Sequence, residues 1–294
     1  MLVNWAIIVV NYKLKDVTAD CIDSLLKSGA PISHILVVDN GSNDDSVEYL
    51  QNKFGTGLEI KKVEKVLGYA NGLNIGIKHL IPRGIDWLLL MSNDVIVAPN
   101  FLHELHKAIQ EAGSTKIIGP LILYFSNPNR IWMLGNYLIP GLPFTYSLYK
   151  NRNKKEYYPV IIPVDFISGC TMLIHKSVFE EIGFFDSSLY MYAEEVDFFY
   201  RARNRGFQIA VAPRAQIWHK IAETMRREKT VTRYYRIRNQ IWIYRRYTEK
   251  WKLPLVGFLT FLRVLFIAIK DIFSTQHKLL SPLFKGFYDG WIGE

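Results

Sequence analysis

Three acids fall within four positions in the stretch Met191-Tyr192-Ala193-Glu194-Glu195-Val196-Asp197, and Arg201 follows four residues later. On a helix, Glu194 and Asp197 share a face while Glu195 projects about 100° away, so one carboxylate can look into a crevice while another pairs with Arg201. The dipole preference for acids in a first helical turn explains one or two of them and leaves the third over. Crowded carboxylates raise one another's pKa, which suits a general base working near neutrality. Upstream, Asp39 follows an apolar run and offers a carboxylate that can accept the imide N–H of uracil or thymine, a proton that cytosine lacks. Tyr12 can stack on a base or lend backbone contacts. Asp94 closes another apolar run, where a hard carboxylate either binds Mg²⁺ or Mn²⁺ and bridges to a diphosphate, or turns the loop before Pro99. His219, after Gln216-Ile217-Trp218, either adds an imidazole to a Mn²⁺-type site or serves the fold.

The first 120 residues alternate β-branched runs with helical-period segments, the pattern of βαβ units around a parallel sheet. Strands are expected at Trp5–Val10, His34–Val38, Leu58–Val63 and Trp87–Met91. Helices are expected at Asp16–Lys27, from Ser42 as N-cap to Phe54, from the Gly68–Asn74 loop to just before Pro82, and from Pro99 to about Glu111. Ligands of such sheets sit outside the carboxyl ends of the strands, where Asn11-Tyr12, Asp39 and Asn93-Asp94 fall. The stretch Gly68-Tyr69-Ala70-Asn71-Gly72-Leu73-Asn74 either lets backbone amides approach a nucleotide closely or is a plain turn. Residues 116–166, with six prolines and many aromatics, read as strands plus a long surface loop. A strand at Thr171–Ile174 and helices at Ser177–Ile182 and Tyr192–Arg205 complete the pattern, the last closed by Gly206.

Taken in order, Ile8-Val9-Val10-Asn11-Tyr12, Val37-Val38-Asp39-Asn40-Gly41-Ser42, the Gly68–Asn74 stretch, Leu88-Leu89-Leu90-Met91-Ser92-Asn93-Asp94, Gly169-Cys170-Thr171-Met172-Leu173-Ile174, Gly183-Phe184-Phe185-Asp186 and Glu194-Glu195-Val196-Asp197 resemble family 2 glycosyltransferases of the rhamnosyltransferase-like kind. The resemblance covers roughly residues 5–220. It implies an α/β fold of the GT-A type, a Rossmann-like, mostly parallel sheet flanked by helices. It further implies a nucleotide-diphosphate sugar donor built on UDP or dTDP, Mn²⁺ or Mg²⁺, and inverting transfer to a glycan or lipid-linked acceptor in cell-surface polysaccharide synthesis. By the same resemblance Val10, Asn11, Tyr12, Asp39, Gly68, Ala70, Asn74 and Asn93 bind the nucleotide, with Asp39 on the base. Asp94 is the surviving carboxylate of a metal-binding DXD-type motif, with His219 as its companion. Glu195 matches the general base, within a catalytic cluster that includes Glu194 and Asp197. Two departures stand out: the first DXD position is Ser92, and the base position, more often Asp in a Glu-Asp pair, is Glu195, so Glu194 competes for the role. Trp132 and Tyr137 are candidate sugar-stacking groups outside the matched motifs.

The net charge of +9 is unevenly spread over the 294 residues: from Arg201 onward the chain carries +13, and residues 1–200 carry −4. Hydrophobic residues at 49% and charged residues at 21% exclude a disordered chain. Cys21 and Cys170 read as buried thiols, which argues against a disulfide framework or a Cys-based metal site and fits a reducing compartment. The apolar run Trp5–Val10 is too short for a signal peptide. The expected division is a GT-A-type domain over residues 1–220 and a basic, aromatic helical appendage over 221–294. There Arg226, Arg227, Arg233, Arg236 and Arg238 interleave with Tyr234, Tyr235 and Trp242. That composition suits an anionic membrane surface and a cytoplasmic protein peripheral at the inner face of the cell membrane. Nucleic acid is not an expected partner, because no reading module accompanies the charge. The stretch Leu253–Ile269 has 17 residues, opens with Pro254 and is broken by Arg263, short of the roughly 20 that a span needs, so it lies on a membrane or packs. The rival to an enzyme is a nucleotide-sugar-binding protein of the same fold that has lost catalysis, with Ser92 as its support.

Overall fold

The computed structural model describes residues 4–220 and 229–293; Arg226 and Arg227 of the basic stretch lie outside the described residues. The N-terminal run is β1 (Trp5–Asn11), α1 (Lys15–Lys27), β2 (Ile35–Asn40), α2 (Ser46–Phe54), β3 (Glu59–Val63), α3 (Tyr69–Leu80) and β4 (Trp87–Ser92). Strands β3, β2, β1 and β4 lie side by side in that order, all parallel. Along β1, Ile8 and Val10 enter one apolar cluster and Ile7 and Val9 the other. A strand covered by helices on both faces has to be apolar throughout, which is why the run is continuous rather than alternating. Parallel pairing also brings Asn11, Asp39, Asn40 and Ser92 out at one edge of the sheet.

The chain continues through β5 (Val95–Val97), α4 (Phe101–Glu111), β6 (Ile117–Tyr124), β7 (Asn127–Met133), β8 (Tyr137–Leu138), β9 (Thr145–Tyr146) and β10 (Ile162–Val164), then β11 (Thr171–His175), α5 (Lys176–Ile182), α6 (Glu194–Asn204) and β12 (Ile209–His219). β11 inserts antiparallel between β4 and β6, β12 runs parallel to β6, and β10 closes the edge antiparallel to β12. The expected parallel sheet therefore holds for β3-β2-β1-β4 and becomes mixed beyond β4. The far end of β12 pairs with β5, Val95 opposite His219, and this pairing carries His219 to the loop that holds Asp94.

Helices α7 (Lys229–Tyr247), α8 (Leu253–Phe273) and α9 (Leu280–Ile292) form a layer with its own small apolar cluster of Ile237, Ile241, Val264, Ala268 and Leu283. α8 has 21 residues, more than the 17-residue stretch read from the sequence, and Lys250–Phe273 is long and apolar enough by length and composition to cross a membrane. One face, with Val256, Thr260, Val264, Ala268 and Asp271, is buried. Phe258, Leu262, Leu265, Phe266 and Ile269 are exposed on the other.

Candidate active site

Where β1 and β2 end, Asn11 stands opposite Asp39. The Asn11 amide donates to Asp39 Oδ1 at 2.6 Å and to Ser42 Oγ at 3.1 Å, and the Ser42 hydroxyl donates to the same carboxylate. Thr18 Oγ1 in turn donates to Asn11 Oδ1 at 2.5 Å, and Asn93 Nδ2 donates to Thr18 Oγ1 at 2.8 Å. This chain of bonds links β2, β1, α1 and the loop after β4, and all of its members are buried. Buried polar groups persist only when satisfied in this way, and the satisfaction fixes the Asp39 carboxylate in place. Ser42 does not cap α2 as expected. Gly41 and Asn43 both take positive φ, delaying the helix to Ser46, and the Ser42 side chain is drawn to Asp39 instead.

Asn40 was not singled out from the sequence, yet its side chain bridges the end of β2 to the next loop. It donates to the Gly68 carbonyl at 3.0 Å and accepts from Leu67 N at 3.1 Å. Gly68 has φ +83°, and a β-carbon there would lie 2.3 Å from the Tyr190 carbonyl oxygen, so only glycine allows this loop to press against the turn before α6. Of the other expected nucleotide contacts, Ala70 is fully buried in the core, as is most of Val10, and both ends of the Asn74 amide are engaged with the Phe185 backbone at 2.9 and 3.0 Å. Tyr12 is half-buried, with the Lys13 ammonium 5.0 Å from its ring centre. Lys13 and Leu14 both adopt left-handed backbone, at φ 56° and 57°, the kind of strain that collects at ligand sites.

Asp94 Oδ1 accepts from Ser92 Oγ at 2.7 Å and faces His219 Nε2 at 3.2 Å. Burial pushes the Asp94 pKa up, but the hydrogen bonds from His219 and Ser92 outweigh it and hold the carboxyl below its ordinary value. His219 Nδ1 is buried without a hydrogen-bond partner among the described residues, and the Trp132 ring meets the imidazole edge-on at 5.1 Å. Among the described residues no third His, Cys, Asp or Glu joins this pair. Tyr137 lies elsewhere, on the β8–β9 hairpin against Tyr146.

The acids of α6 sit behind a strained turn. Tyr190, Tyr192 and Ala193 all have positive φ, at 60°, 66° and 70°. Asn239 of α7, fully buried, donates its amide toward the carbonyls of Leu189, Met191 and Tyr192 at 2.6–2.8 Å, and Arg238 donates to the Ser188 carbonyl at 3.0 Å. The side chain of Glu195 lies over Gly169, where a β-carbon would come within 3.3 Å of it. Burial raises its pKa. Glu194 is buried, with Oε2 unpartnered among the described residues; burial, and then the neighbouring Glu195 charge, raise its pKa well above the ordinary value. Asp197 is different. Its Oδ2 accepts from Arg201 at 2.8 Å, and its Oδ1 accepts from Arg246 at 3.1 Å and from the Tyr247 hydroxyl at 2.8 Å. It is thus held in ion pairs and has no unengaged oxygen to offer a crevice.

Tyr69 and Cys170 mark where the distant segments meet. The Tyr69 hydroxyl donates to the Gly169 carbonyl at 2.9 Å, and Ser92 N donates to the Cys170 carbonyl at 2.9 Å. Burial pushes the Tyr69 phenol up, and the charges of Cys170, Glu194, Asp94 and Glu195 add to it. Burial takes the Cys170 thiol to about 12, with Asp94 and Glu195 both contributing. Tyr69 and Cys170 thus feel the charges of Asp94 and Glu195 together, and Asn93, the neighbour of Asp94, is bonded through Thr18 and Asn11 to Asp39. Tyr69, Thr18, Asn40 and Asn239 escaped the sequence reading. Tyr69 was inside a quoted motif, whereas Asn239 had no local signal.

The family model for glycosyl transferase family 2 matches residues 6–183. The chain is 29% identical over 220 residues to the low-salt glycan biosynthesis hexosyltransferase Agl10 of Haloferax volcanii, a match covering 71% of this chain and 64% of that protein. It is 27% identical over 225 residues to the N-acetylglucosaminyl-diphospho-decaprenol L-rhamnosyltransferase of Mycobacterium tuberculosis, covering 69% and 71%. Among solved structures, GalNAc-T7 with UDP, GalNAc and Mn²⁺ superposes with a TM-score of 0.60 at 16% identity over 74% of this chain and 43% of its own. The mannosyltransferase PcManGT of Pyrobaculum calidifontis, with GDP-Man and Mn²⁺, gives 0.56 at 13% identity over 99% and 88%. The chain thus spans less than two thirds of the Haloferax protein and of GalNAc-T7. With its GT-A-type α/β fold and the family match over more than half its length, the chain belongs to glycosyltransferase family 2.

Proposed function

We propose that the protein transfers a hexosyl or rhamnosyl unit from a UDP- or dTDP-sugar to a glycan or lipid-linked acceptor, with inversion at the anomeric carbon. The observation that carries this reading is the position of Glu195 over Gly169, next to Cys170, whose carbonyl accepts from the Ser92 N–H while the Ser92 hydroxyl donates to Asp94. Asp39 accepts the imide N–H of the base, and the bonds from Asn11 and Ser42 keep its carboxylate fixed for that contact. Glu195 removes the acceptor hydroxyl proton. The oxygen then bonds to the anomeric carbon as the carbon–phosphate oxygen bond breaks, and the nucleoside diphosphate leaves with the electron pair. Glu195 suits the base role better than Glu194, because it is half-buried where Glu194 is enclosed, and its raised pKa keeps it basic enough to take a proton near neutrality.

Asp94 and His219 would hold Mn²⁺ or Mg²⁺. Asp94 Oδ1 and His219 Nε2 face each other at 3.2 Å, an ionised carboxylate oxygen and an imidazole nitrogen that one such ion could take together, and donor phosphates would complete its shell. When bound, the ion supplies charge neutralisation for the departing diphosphate. The exposed apolar face of α8 and the basic residues of α7 favour a peripheral seat on an anionic membrane.

Glu195→Gln tests the assignment. Transfer to acceptor is expected to fall by about 10²–10⁴-fold while UDP-sugar binding, read by thermal shift with Mn²⁺, stays as in the wild type. Full transfer by the variant would remove Glu195 as the base.

A further inference from the structure

Between α6, α7, α8 and the loop at residues 143–145 lies a cavity of about 870 Å³. Its wall includes Tyr192, Ala193 and Val196, the turn and first helical residues that carry Glu194 and Glu195. Lys229, Arg233, Arg236, Arg263 and Lys270 face it, against Asp271, the one lining carboxylate among the described residues, which pairs with Arg233 at 3.1 Å. Five cations and one acid leave this wall at +4. Arg263 is bonded to Gln240 at 2.7 Å and Arg236 lies 5.8 Å from the centre of the Tyr192 ring, and among the described residues neither Arg236 nor Lys270 has an ion-pair partner. The rest of the wall mixes apolar side chains, among them Phe144, Ile237, Ile243 and Ile267, with polar ones such as Thr232, Gln240 and Gln276.

We infer that this cavity is the acceptor site, and that it takes an isoprenoid-type diphosphate whose attached glycan points toward Glu195. The inference rests on the transferase reading above for its purpose, though not for the binding itself. A free oligosaccharide needs neither four surplus positive charges nor an aliphatic wall. A diphosphate on a hydrocarbon chain needs both, the charges as partners for its oxygens and the wall for its first isoprene units. The helix that supplies Arg263, Ile267 and Lys270 to the cavity exposes Phe258, Leu262, Leu265, Phe266 and Ile269 on its opposite side. A bilayer seated on that opposite side would present a lipid-borne acceptor beside the cavity mouth.

Calorimetric titration of the full chain with farnesyl diphosphate, farnesol and inorganic diphosphate, each with and without excess UDP and Mn²⁺, tests this. Farnesyl diphosphate is expected to bind about tenfold more tightly than either fragment, and UDP is expected not to displace it. Arg236→Glu and Lys270→Glu, both at exposed side chains, should each weaken it about tenfold while UDP binding stays unchanged. Displacement by UDP would move the ligand to the donor pocket and overturn the inference. Equal binding of inorganic diphosphate, or full affinity in both charge-reversal variants, would also overturn it. Lost UDP binding in the wild type with farnesyl diphosphate still bound would fell the transferase reading and leave the lipid site standing.

Discussion

The proposed donor edge and the acid turn solve opposite problems with the same kinds of residue. At the donor edge, Asp39 is buried and every neighbour is arranged to donate to it: the Asn11 amide, the Ser42 hydroxyl and, at 3.4 Å, the Ser42 backbone N–H. At the acid turn, Glu194 is buried with an oxygen unpartnered among the described residues, on a turn whose backbone is strained at three residues. The first arrangement fixes the Asp39 carboxyl in one place for the proposed contact with the base. The second keeps carboxyls reluctant to ionise, as a proton acceptor near neutrality requires, and strain of roughly 1–3 kcal/mol per outlier has to be restrained from elsewhere. Here the restraint is Asn239, reaching across from the C-terminal layer.

The sharpest way to break this contrast is Asp39→Asn. An amide in place of the carboxylate sets an NH₂ group or a lone weaker acceptor against groups already committed to donating, at a cost of about 1–3 kcal/mol. UDP affinity is expected to fall about ten- to hundredfold, and the preference for UDP over CDP is expected to shrink with it. Unchanged UDP affinity would mean that the network serves the fold alone and that the donor edge lies elsewhere.

How much of this was legible in the sequence follows from how local each signal is. The strands β1, β2 and β4 declared themselves because a strand buried on both faces must be apolar throughout, and their carboxyl ends followed directly, so Asn11, Asp39 and Asp94 could be placed at that edge. The mixed half of the sheet was not legible. β11 slots between β4 and β6 through tertiary pairing that leaves no mark on its own five residues. Asp197 looked like an equal member of the acid cluster, since Arg201 at i+4 was visible but Arg246 and Tyr247, some fifty residues away, were not. Asn74 and Ala70 sit in a glycine-rich motif that implied ligand contact, yet the same small residues also permit the close helix–sheet packing in which they are engaged. The 221–294 segment read as an appendage because its composition differs, while the Asn239 strap depends on a single amide inside it.

That strap gives the second test. Asn239→Ala would remove the donor shared by three carbonyls, and the turn is free to relax. Because Asn239 touches neither donor nor reacting atoms, kcat is expected to fall about tenfold with the UDP-sugar Kd unchanged. Asn239→Asp should do at least as much harm, for an ionised carboxylate has no N–H to give and would face the carbonyls with like partial charge. A loss of donor affinity in step with kcat would mean that the substitution disturbs the whole fold, and the division between a self-supporting donor edge and an externally held acid turn would fail.

The smallest expected effect concerns Glu194 and carries a definite sign. Its folded-state pKa is raised, first by burial and then by Glu195. Between the ordinary glutamate value and that raised value the folded chain holds a proton that the unfolded chain has released, so native stability declines as pH climbs through the window. Glutamine is neutral throughout and escapes this penalty. Glu194→Gln should therefore raise Tm at pH 8 by about 2–4 °C for each kcal/mol recovered, and leave it nearly unchanged at pH 4, where the glutamate is protonated in both states. Calorimetric melts at the two pH values check it. An equal gain at both would point to packing rather than charge. A loss at pH 8 would show that Glu194 is stabilised as an anion, erasing the difference between the two regions.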